Sequence, residues 1–170
     1  MASSNQFPPP DPKTFMTNMN ILSGGFIVFL VGFAGVVYFT VTGDGNKGLA
    51  PELDSVFSMI VPLFALSAAL GGYFLYGLML KKVKEDSNLP DKLSILQKAT
   101  VLRFAFWDGG AIMGIIGYLM TGSETYFLYS IGLIALFAYT FPTRRRVVSD
   151  LNLSSFEERQ LAGDRGRLSS

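Results

Sequence analysis

Four long apolar runs, separated by short polar segments, dominate the pattern of the chain. The runs are Ile21–Val41, Val56–Leu80, Val101–Met120 and Tyr126–Phe141. A helix needs roughly 20 apolar residues to cross about 30 Å of hydrocarbon, and the first three runs meet that length. The fourth is shorter and is expected to extend to Ser123–Thr125 and to Pro142. The pattern predicts an all-α fold, a polytopic membrane four-helix bundle.

Basic residues are distributed unevenly around these runs. Of the 14 Lys and Arg residues, only Lys47 lies near the connections between the first and second or the third and fourth runs. Short loops rich in Lys and Arg stay in the cytoplasm because they translocate poorly. Both termini and the connection between the second and third runs are therefore expected to be cytoplasmic. The membrane would be a plasma membrane, with an organelle inner membrane as the alternative.

The polar segments divide the chain into three parts. Residues 1–20, with Pro8–Pro10 and Pro12, predict a flexible cytoplasmic arm. Residues 21–142 form the predicted transmembrane domain, with spans at about 21–42, 56–80, 101–121 and 124–142. Residues 143–170 predict a basic cytoplasmic tail with short helices.

Two patterns in the membrane-proximal segments and the tail predict local structure. Apolar and polar residues alternate before the third run, between Asp91 and Thr100, which is typical of a helix lying at the headgroup level. In the tail, Val147, Val148 and Leu151 share one helical face. Ser154-Ser155-Phe156-Glu157-Glu158 then offers two overlapping capping boxes for a last helix.

Composition excludes several classes of function. The chain has no Cys and no His, which removes disulfides, thiolate sites and the usual ligands of haem, zinc and copper. No metal site and no cofactor are therefore expected. The net charge of +1 speaks against nucleic acid as a partner.

Glycine is frequent inside the predicted spans, where small residues let helices approach closely. Gly110 and Gly114 have small-x-x-x-small spacing, and Gly117 extends their ridge. The candidate packing residues are Gly71, Gly72, Gly109, Gly110, Gly114 and Gly117. Packing inside the bundle is the simpler interpretation; a face for another subunit or for self-association is the alternative.

A faint internal repeat relates the two halves of the predicted domain. The first and third runs each contain a Gly-Gly pair, Gly24-Gly25 and Gly109-Gly110, and each ends in Thr-Gly. Two tandem helical hairpins would produce this pattern. Convergence under the same bilayer constraints is the alternative.

Asp108 is the one acidic residue well inside an apolar run, and it lies roughly 8–10 Å deeper than Arg103 at 1.5 Å per residue. A carboxylate at that depth is costly unless it is paired, hydrated or neutralised. A spacing of five residues puts Arg103 on a different helical face, so a direct pair is not expected. Arg103 is expected to snorkel to the interface. Tyr73 and Tyr139, at comparable depth, are the expected partners of Asp108.

Three roles remain open for Asp108. It would fix helix packing as a hydrogen-bonded carboxylic acid, meet a cationic residue of another subunit, or carry protons or a cation. Arg144, Arg145 and Arg146 are expected to contact anionic headgroups, or an acidic partner.

The stretch from Leu102 to Gly110, together with Tyr118–Gly122, resembles a pattern in an uncharacterised family of small four-span inner-membrane proteins of Bacteroidota-type bacteria. Phe141-Pro142-Thr143, Val148-x-x-Leu151-x-Leu153 and Glu157-Glu158 are similar to the tails of that family. The family places glutamate where Asp108 stands, so the carboxylate would be kept but shortened. The resemblance implies a bacterial membrane protein and carries no activity.

These patterns favour a non-enzymatic membrane protein: an accessory, assembly or scaffolding subunit of a membrane complex. Its partners would be the lipid bilayer and other membrane subunits, or a second copy. The alternative is a small transporter or a proton- or cation-handling component that uses Asp108. No catalytic residue is predicted, because an enzyme would need a cluster of polar groups that the spans lack.

Overall fold

Helices make up all the regular structure of the described chain. The computed structural model describes residues 11–45, 47–83 and 87–161. Its helices are α1 (Pro12–Gly43), α2 (Asp54–Leu80), α3 (Leu89–Thr121), α4 (Glu124–Tyr139), α5 (Arg144–Asp150) and α6 (Ser155–Leu161), and a 3-10 turn, Pro51–Leu53, precedes α2. The predicted all-α helical bundle is confirmed.

Three helices, α1, α2 and α3, are long and apolar enough to cross a membrane. Helix α4 has 16 residues. At 1.5 Å per residue it is about 24 Å long, less than the roughly 30 Å of hydrocarbon. It qualifies only together with α5, and the two are bent by 80°. The chain is therefore a multi-pass membrane protein with three or four candidate spans.

The fourth span ends earlier than the predicted 124–142. Helix α4 ends at Tyr139, and the Thr140 hydroxyl donates a hydrogen bond back to the carbonyl of Leu136 at 2.9 Å. Pro142 disfavours helical geometry at Phe141, so the helix cannot continue into α5. The predicted extension to Pro142 is wrong for this reason.

Helix α3 is the centre of the bundle. It packs against α1, α2 and α4, whereas α1 and α2 scarcely touch each other in the described part of the chain. Met19 of α1 clusters with Leu93 at one end of α3, and Val41 clusters with Tyr118 at the other. Because α1 and α3 are parallel neighbours and α1 does not pair with α2, the predicted tandem hairpins are not found.

Two glycines of α3 allow α2 and α4 to approach closely. A Cβ atom at Gly110 would lie 2.7 Å from Cβ of Ala68 and 2.8 Å from Cδ1 of Leu133. A Cβ atom at Gly117 would lie 3.0 Å from Cγ2 of Val61. Gly110 and Gly117 thus lie where helices approach closely, and α4 shares these contacts with α2.

Gly114 faces α4 alone. A Cβ atom there would overlap the Ser130 hydroxyl and lie 2.8 Å from the carbonyl oxygen of Tyr126. The Ser130 hydroxyl is buried and donates a hydrogen bond to the carbonyl of Ala111 at 2.7 Å. A polar contact between helices therefore forms where α3 has no side chain.

The remaining predicted packing glycines, Gly71, Gly72 and Gly109, differ in how closely a neighbouring helix approaches them. At Gly72 a Cβ atom would lie 2.6 Å from Nε1 of Trp107, and at Gly71 it would lie 3.4 Å from the Phe106 ring. At Gly109 it would meet nothing within 4 Å. Gly109 is on the side of α3 that α2 and α4 leave uncovered, so its predicted packing role inside the bundle is wrong.

The end of the bundle that carries the α2–α3 connection, α5 and α6 is called the basic end here. Helix α3 has 33 residues. It is therefore about 50 Å long and extends well past an apolar layer of about 30 Å. Its first turns bury apolar residues against α1, α5 and α6: Phe15, Met19, Leu89, Leu93, Leu96, Val147, Leu151 and Leu161.

This second core corrects two predictions. Helix α1 begins at Pro12, where proline is tolerated in the first turn, so residues 12–20 are helical rather than a flexible arm. Residues 1–10 lie outside the described part of the chain. Leu93 and Leu96 are buried between helices, so residues 91–100 do not lie flat at a headgroup surface.

The predicted tail helices are confirmed as α5 and α6. Val147 and Leu151 are buried. Of the two predicted capping boxes, the first is formed: the Glu157 carboxylate accepts a hydrogen bond from the backbone N–H of Ser154 at 2.9 Å, and the Glu157 N–H donates to the Ser154 hydroxyl at 3.3 Å. The same carboxylate forms an ion pair with Lys92 of α3 at 2.8 Å.

At the opposite end, the α1–α2 connection pairs with the last turn of α3. The Leu49 and Ala50 N–H groups donate to the carbonyls of Leu119 and Met120 at 3.1 and 2.7 Å. These carbonyls have no partner within their own helix. Gly48 lies so close that a Cβ atom would overlap the backbone of α3. The connection thus caps the central helix.

Candidate functional site

Asp108 lies half-buried on α3 without a hydrogen-bonding partner in the described part of the chain. Its Oδ1 atom is buried and has no hydrogen bond to any described residue. The predicted partners, Tyr73 and Tyr139, are 68% and 75% exposed and do not reach it. The predicted hydrogen-bonded packing role of Asp108 is therefore wrong among these residues. No ion pair joins Asp108 to Arg103, as the five-residue spacing predicted.

The surroundings of Asp108 follow from the gap between α1 and α2. Helical spacing puts Asp108 between the buried residues Phe104 and Ala111 on one side and Ala105 and Gly109 on the other. Ala105 is exposed and Gly109 is half-buried. The carboxylate thus lies at the edge of the one side of α3 that no helix covers.

An apolar groove continues from this side of α3 to α2. It has a volume of about 300 Å³ and is lined by Phe64, Ser67, Ala68, Leu102, Ala105, Phe106 and Gly109. The hydroxyl of Ser67 donates to the carbonyl of Leu63 in its own helix at 2.7 Å. The groove therefore offers small and aromatic side chains and no free hydrogen-bonding group of its own. We call the groove and the adjoining uncovered side of α3 the α1/α2 cleft.

Arg103 is buried, with 6% of its surface exposed, rather than snorkelling as predicted. Its guanidinium carbon lies 4.0 Å from the centre of the Tyr76 ring and 5.2 Å from that of Trp107. Nη2 donates to the carbonyl of Thr140 at 3.4 Å, and Nε has no partner among the described residues. Aromatic faces surround the charge, and no described carboxylate forms an ion pair with it.

A pocket of about 270 Å³ with both charged and apolar lining residues adjoins Arg103 at the basic end. Its lining comes from α2, α3, α4, α5 and the segment between α4 and α5: Tyr73, Tyr76, Leu96, Thr100, Arg103, Tyr139, Thr140, Pro142, Arg146, Val147 and Asp150. Tyr73 and Tyr139 therefore share this pocket with Arg103 instead of meeting Asp108. We call it the Arg103 pocket.

Two of its residues, Tyr76 and Asp150, were not predicted as site residues. The Tyr76 hydroxyl donates a hydrogen bond to Oδ2 of Asp150 at 2.5 Å, which links α2 to α5. The only signal in the sequence was the amphipathic pattern of α5. That pattern predicts a buried face but does not indicate which helix the face meets.

The three consecutive arginines of the tail have different surroundings. Arg146 stacks on the Tyr139 ring at 5.1 Å and lines the pocket. Arg144 forms an exposed ion pair with Glu158 at 3.4 Å. Arg145 is exposed and lies outside the pocket. Of the three arginines that are predicted to contact headgroups, only Arg146 lines the Arg103 pocket.

Comparison with known proteins adds no relative. No protein-family model, curated protein or solved structure matches the chain. The resemblance to small inner-membrane proteins therefore stays a prediction.

Proposed function

We propose that the protein is a non-enzymatic accessory or assembly subunit that receives a transmembrane helix of another membrane protein in the α1/α2 cleft. The observation that carries this proposal is Asp108, whose buried Oδ1 has no partner in the described chain. A buried polar atom without a hydrogen bond is costly. The other carboxylate oxygen, Oδ2, is not fully buried, and a donor on an incoming helix would stabilise the carboxylate there.

The cleft favours a different protein over a second copy. Asp108 and Arg103 are the only charged residues within the apolar runs. Arg103 is buried in its own pocket, so an identical subunit would bring another carboxylate rather than a cation. The partner helix would carry Lys, Arg or a hydroxyl at the depth of Asp108 and small residues against Ala105 and Gly109.

Location and orientation belong to the same proposal. The charge pattern supports a cytoplasmic location of both termini and of the α2–α3 connection. The resemblance to small four-span inner-membrane proteins of Bacteroidota-type bacteria supports a bacterial inner membrane. Phe15 of α1 and Leu161 of α6 lie in one cluster at the basic end, which is consistent with this arrangement.

Site-specific cross-linking tests the cleft. A photoreactive residue at Ala105 is expected to cross-link one membrane protein in native membranes, whereas one at Gly132, exposed on α4, should give only lipid adducts. Gly109→Leu, which fills the cleft, should abolish the product, and the matched Gly132→Leu should not. Equal products from both positions, or a protein that purifies without companions from gentle detergent, would contradict the proposal.

Stability of the isolated protein provides a second readout. Asp108→Leu should lose the complex yet unfold at the same or a higher temperature, because an unsatisfied buried carboxylate costs about 1–3 kcal/mol. If Asp108→Leu strongly destabilised the isolated protein, the carboxylate would have an internal role. If Asp108→Asn kept the complex but abolished a proton or cation flux in vesicles, the transporter alternative would replace the scaffold.

A further inference from the structure

The Arg103 pocket lies where the apolar parts of the helices end. Helix α2 ends at Leu80 and α4 at Tyr139, and α5 closes the pocket from the basic end. Tyr73 and Tyr139 line it and are largely exposed, so they form its rim. Tyrosines commonly occupy the headgroup level, with the ring in the apolar layer and the hydroxyl in water. The pocket is therefore open at the depth of lipid headgroups.

Its floor holds hydrogen-bond donors that the described chain does not use. A guanidinium has five N–H groups. Arg103 makes one long hydrogen bond, to Thr140, and its buried Nε makes none. More than nine-tenths of Arg103 is buried, although a buried charge normally has an anionic partner. No described carboxylate forms an ion pair with Arg103, so its unused donors leave a place for an additional anionic acceptor.

Arg146 adds a second guanidinium to the same pocket. One carboxylate, Asp150, faces the two cations and already accepts the hydrogen bond of Tyr76. The ionisable lining thus keeps a net positive charge. A volume of about 270 Å³ leaves room for a tetrahedral anion and water between the two arginines.

We propose that the Arg103 pocket binds a phosphate group, with Arg103 at its floor and Arg146 at its rim. Guanidinium groups match phosphate in geometry and charge. The phosphate would come from the headgroup of an anionic phospholipid or from a free phosphate ion. This site is separate from the α1/α2 cleft and does not depend on the proposed partner.

Neighbouring arginines of α5 provide a matched test. Arg146→Gln and Arg145→Gln remove the same charge, but only Arg146 lines the pocket. Purified variants would be equilibrated with nanodiscs of equimolar phosphatidylcholine and phosphatidylglycerol, and bound lipid would be measured by native mass spectrometry. Arg146→Gln is expected to weaken retention of phosphatidylglycerol about fivefold, because it removes a guanidinium that hydrogen-bonds the phosphate in the pocket, and Arg145→Gln, which lies outside the pocket, should have a clearly smaller effect.

A second arm uses inorganic phosphate with protein in detergent free of phospholipid, and the emission of Trp107 beside Arg103 reports binding. Saturable binding that Arg146→Gln weakens and Arg145→Gln does not would identify free phosphate as the ligand. Asp150→Asn should tighten either interaction several-fold, because it removes a repelling carboxylate and keeps an acceptor for Tyr76. Equal effects of the two arginine variants, no binding in either arm, or weaker binding by Asp150→Asn would overturn the proposal.

Discussion

Asp108 and Arg103 share helix α3 but have opposite surroundings. Arg103 is enclosed by aromatic rings, whereas Asp108 lies at the edge of an uncovered face. Neither forms an ion pair with a described residue, although Asp150 lies in the same pocket as Arg103. The two proposals therefore assign them different contacts from outside the chain: a helix at Asp108 and an anion at Arg103.

The depth of these two residues could be predicted from the sequence, but their neighbours could not. Depth follows from counting residues along a helix, and on that basis Tyr73 and Tyr139 were matched to Asp108. Which face of α3 a neighbour meets depends on how α1, α2 and α4 surround it. Tyr73 and Tyr139 lie beside Arg103, nearer the basic end than Asp108, whereas Ala68 and Leu133 are the residues of α2 and α4 at the level of the neighbouring Gly110.

Gly114 tests how tightly α3 and α4 pack. Gly114→Ala should lower the unfolding free energy by about 1–3 kcal/mol, because its Cβ would overlap Ser130 and press on the backbone of Tyr126. Gly109→Ala on the same helix meets nothing within 4 Å and should be neutral or stabilising. Denaturant titration in detergent would measure both. Equal effects would mean that the close approach of α4 at Gly114 is absent.

At the scale of elements, α5 and α6, predicted as short helices of a basic tail, form part of a second core. Hydrophobic spacing and the capping box predicted both helices, since these signals are local. The docking of α6 was not predictable, because Lys92, on α3, gives no local sign that it meets Glu157. The pair lies next to buried apolar residues of α1, α3 and α6.

Acid should release α6. Burial raises the pKa of Glu157, but hydrogen bonds from Lys92 and Ser154 outweigh it, so the pKa lies below its usual value. The stability contributed by the carboxylate is therefore present above about pH 4.3, the usual value, and is lost as the pH falls through the lower folded pKa. Hydrogen exchange of α6 amides should accelerate in that acidic window.

A pair of substitutions separates this effect from general acid denaturation. Glu157→Gln should speed exchange in α6 at neutral pH by an amount equivalent to about 3 kcal/mol, since it leaves Lys92 buried without its partner. Glu158→Gln, whose pair with Arg144 is exposed, should change exchange by less than about 1 kcal/mol. Similar exchange in both variants would show that the Lys92–Glu157 pair does not hold α6.

At the scale of the whole molecule, the two ends of the bundle differ in charge and in structure. The basic end carries a second core and the Arg103 pocket, and the other end carries only short connections. The charge pattern alone predicts that the N-terminus, the α2–α3 connection and the tail lie at the same end of the bundle. This arrangement requires α1 and α3 to start at that end, as they do. Helix α4 is short but connects the two ends of the bundle. Near its start, the Tyr126 hydroxyl donates a hydrogen bond to Asp54 at the opposite end at 2.7 Å, and just after its end the Thr140 carbonyl accepts one from Arg103.

The absence of cysteine makes the orientation directly measurable. Lys47→Cys and Lys82→Cys each introduce a single exposed thiol, one at each end of the bundle. A membrane-impermeant maleimide should label Lys47→Cys in intact cells and Lys82→Cys only after the membrane is opened. The reverse pattern, equal labelling of both in intact cells, or a protein that stays monodisperse in buffer without detergent would contradict a multi-pass protein with its basic end in the cytoplasm.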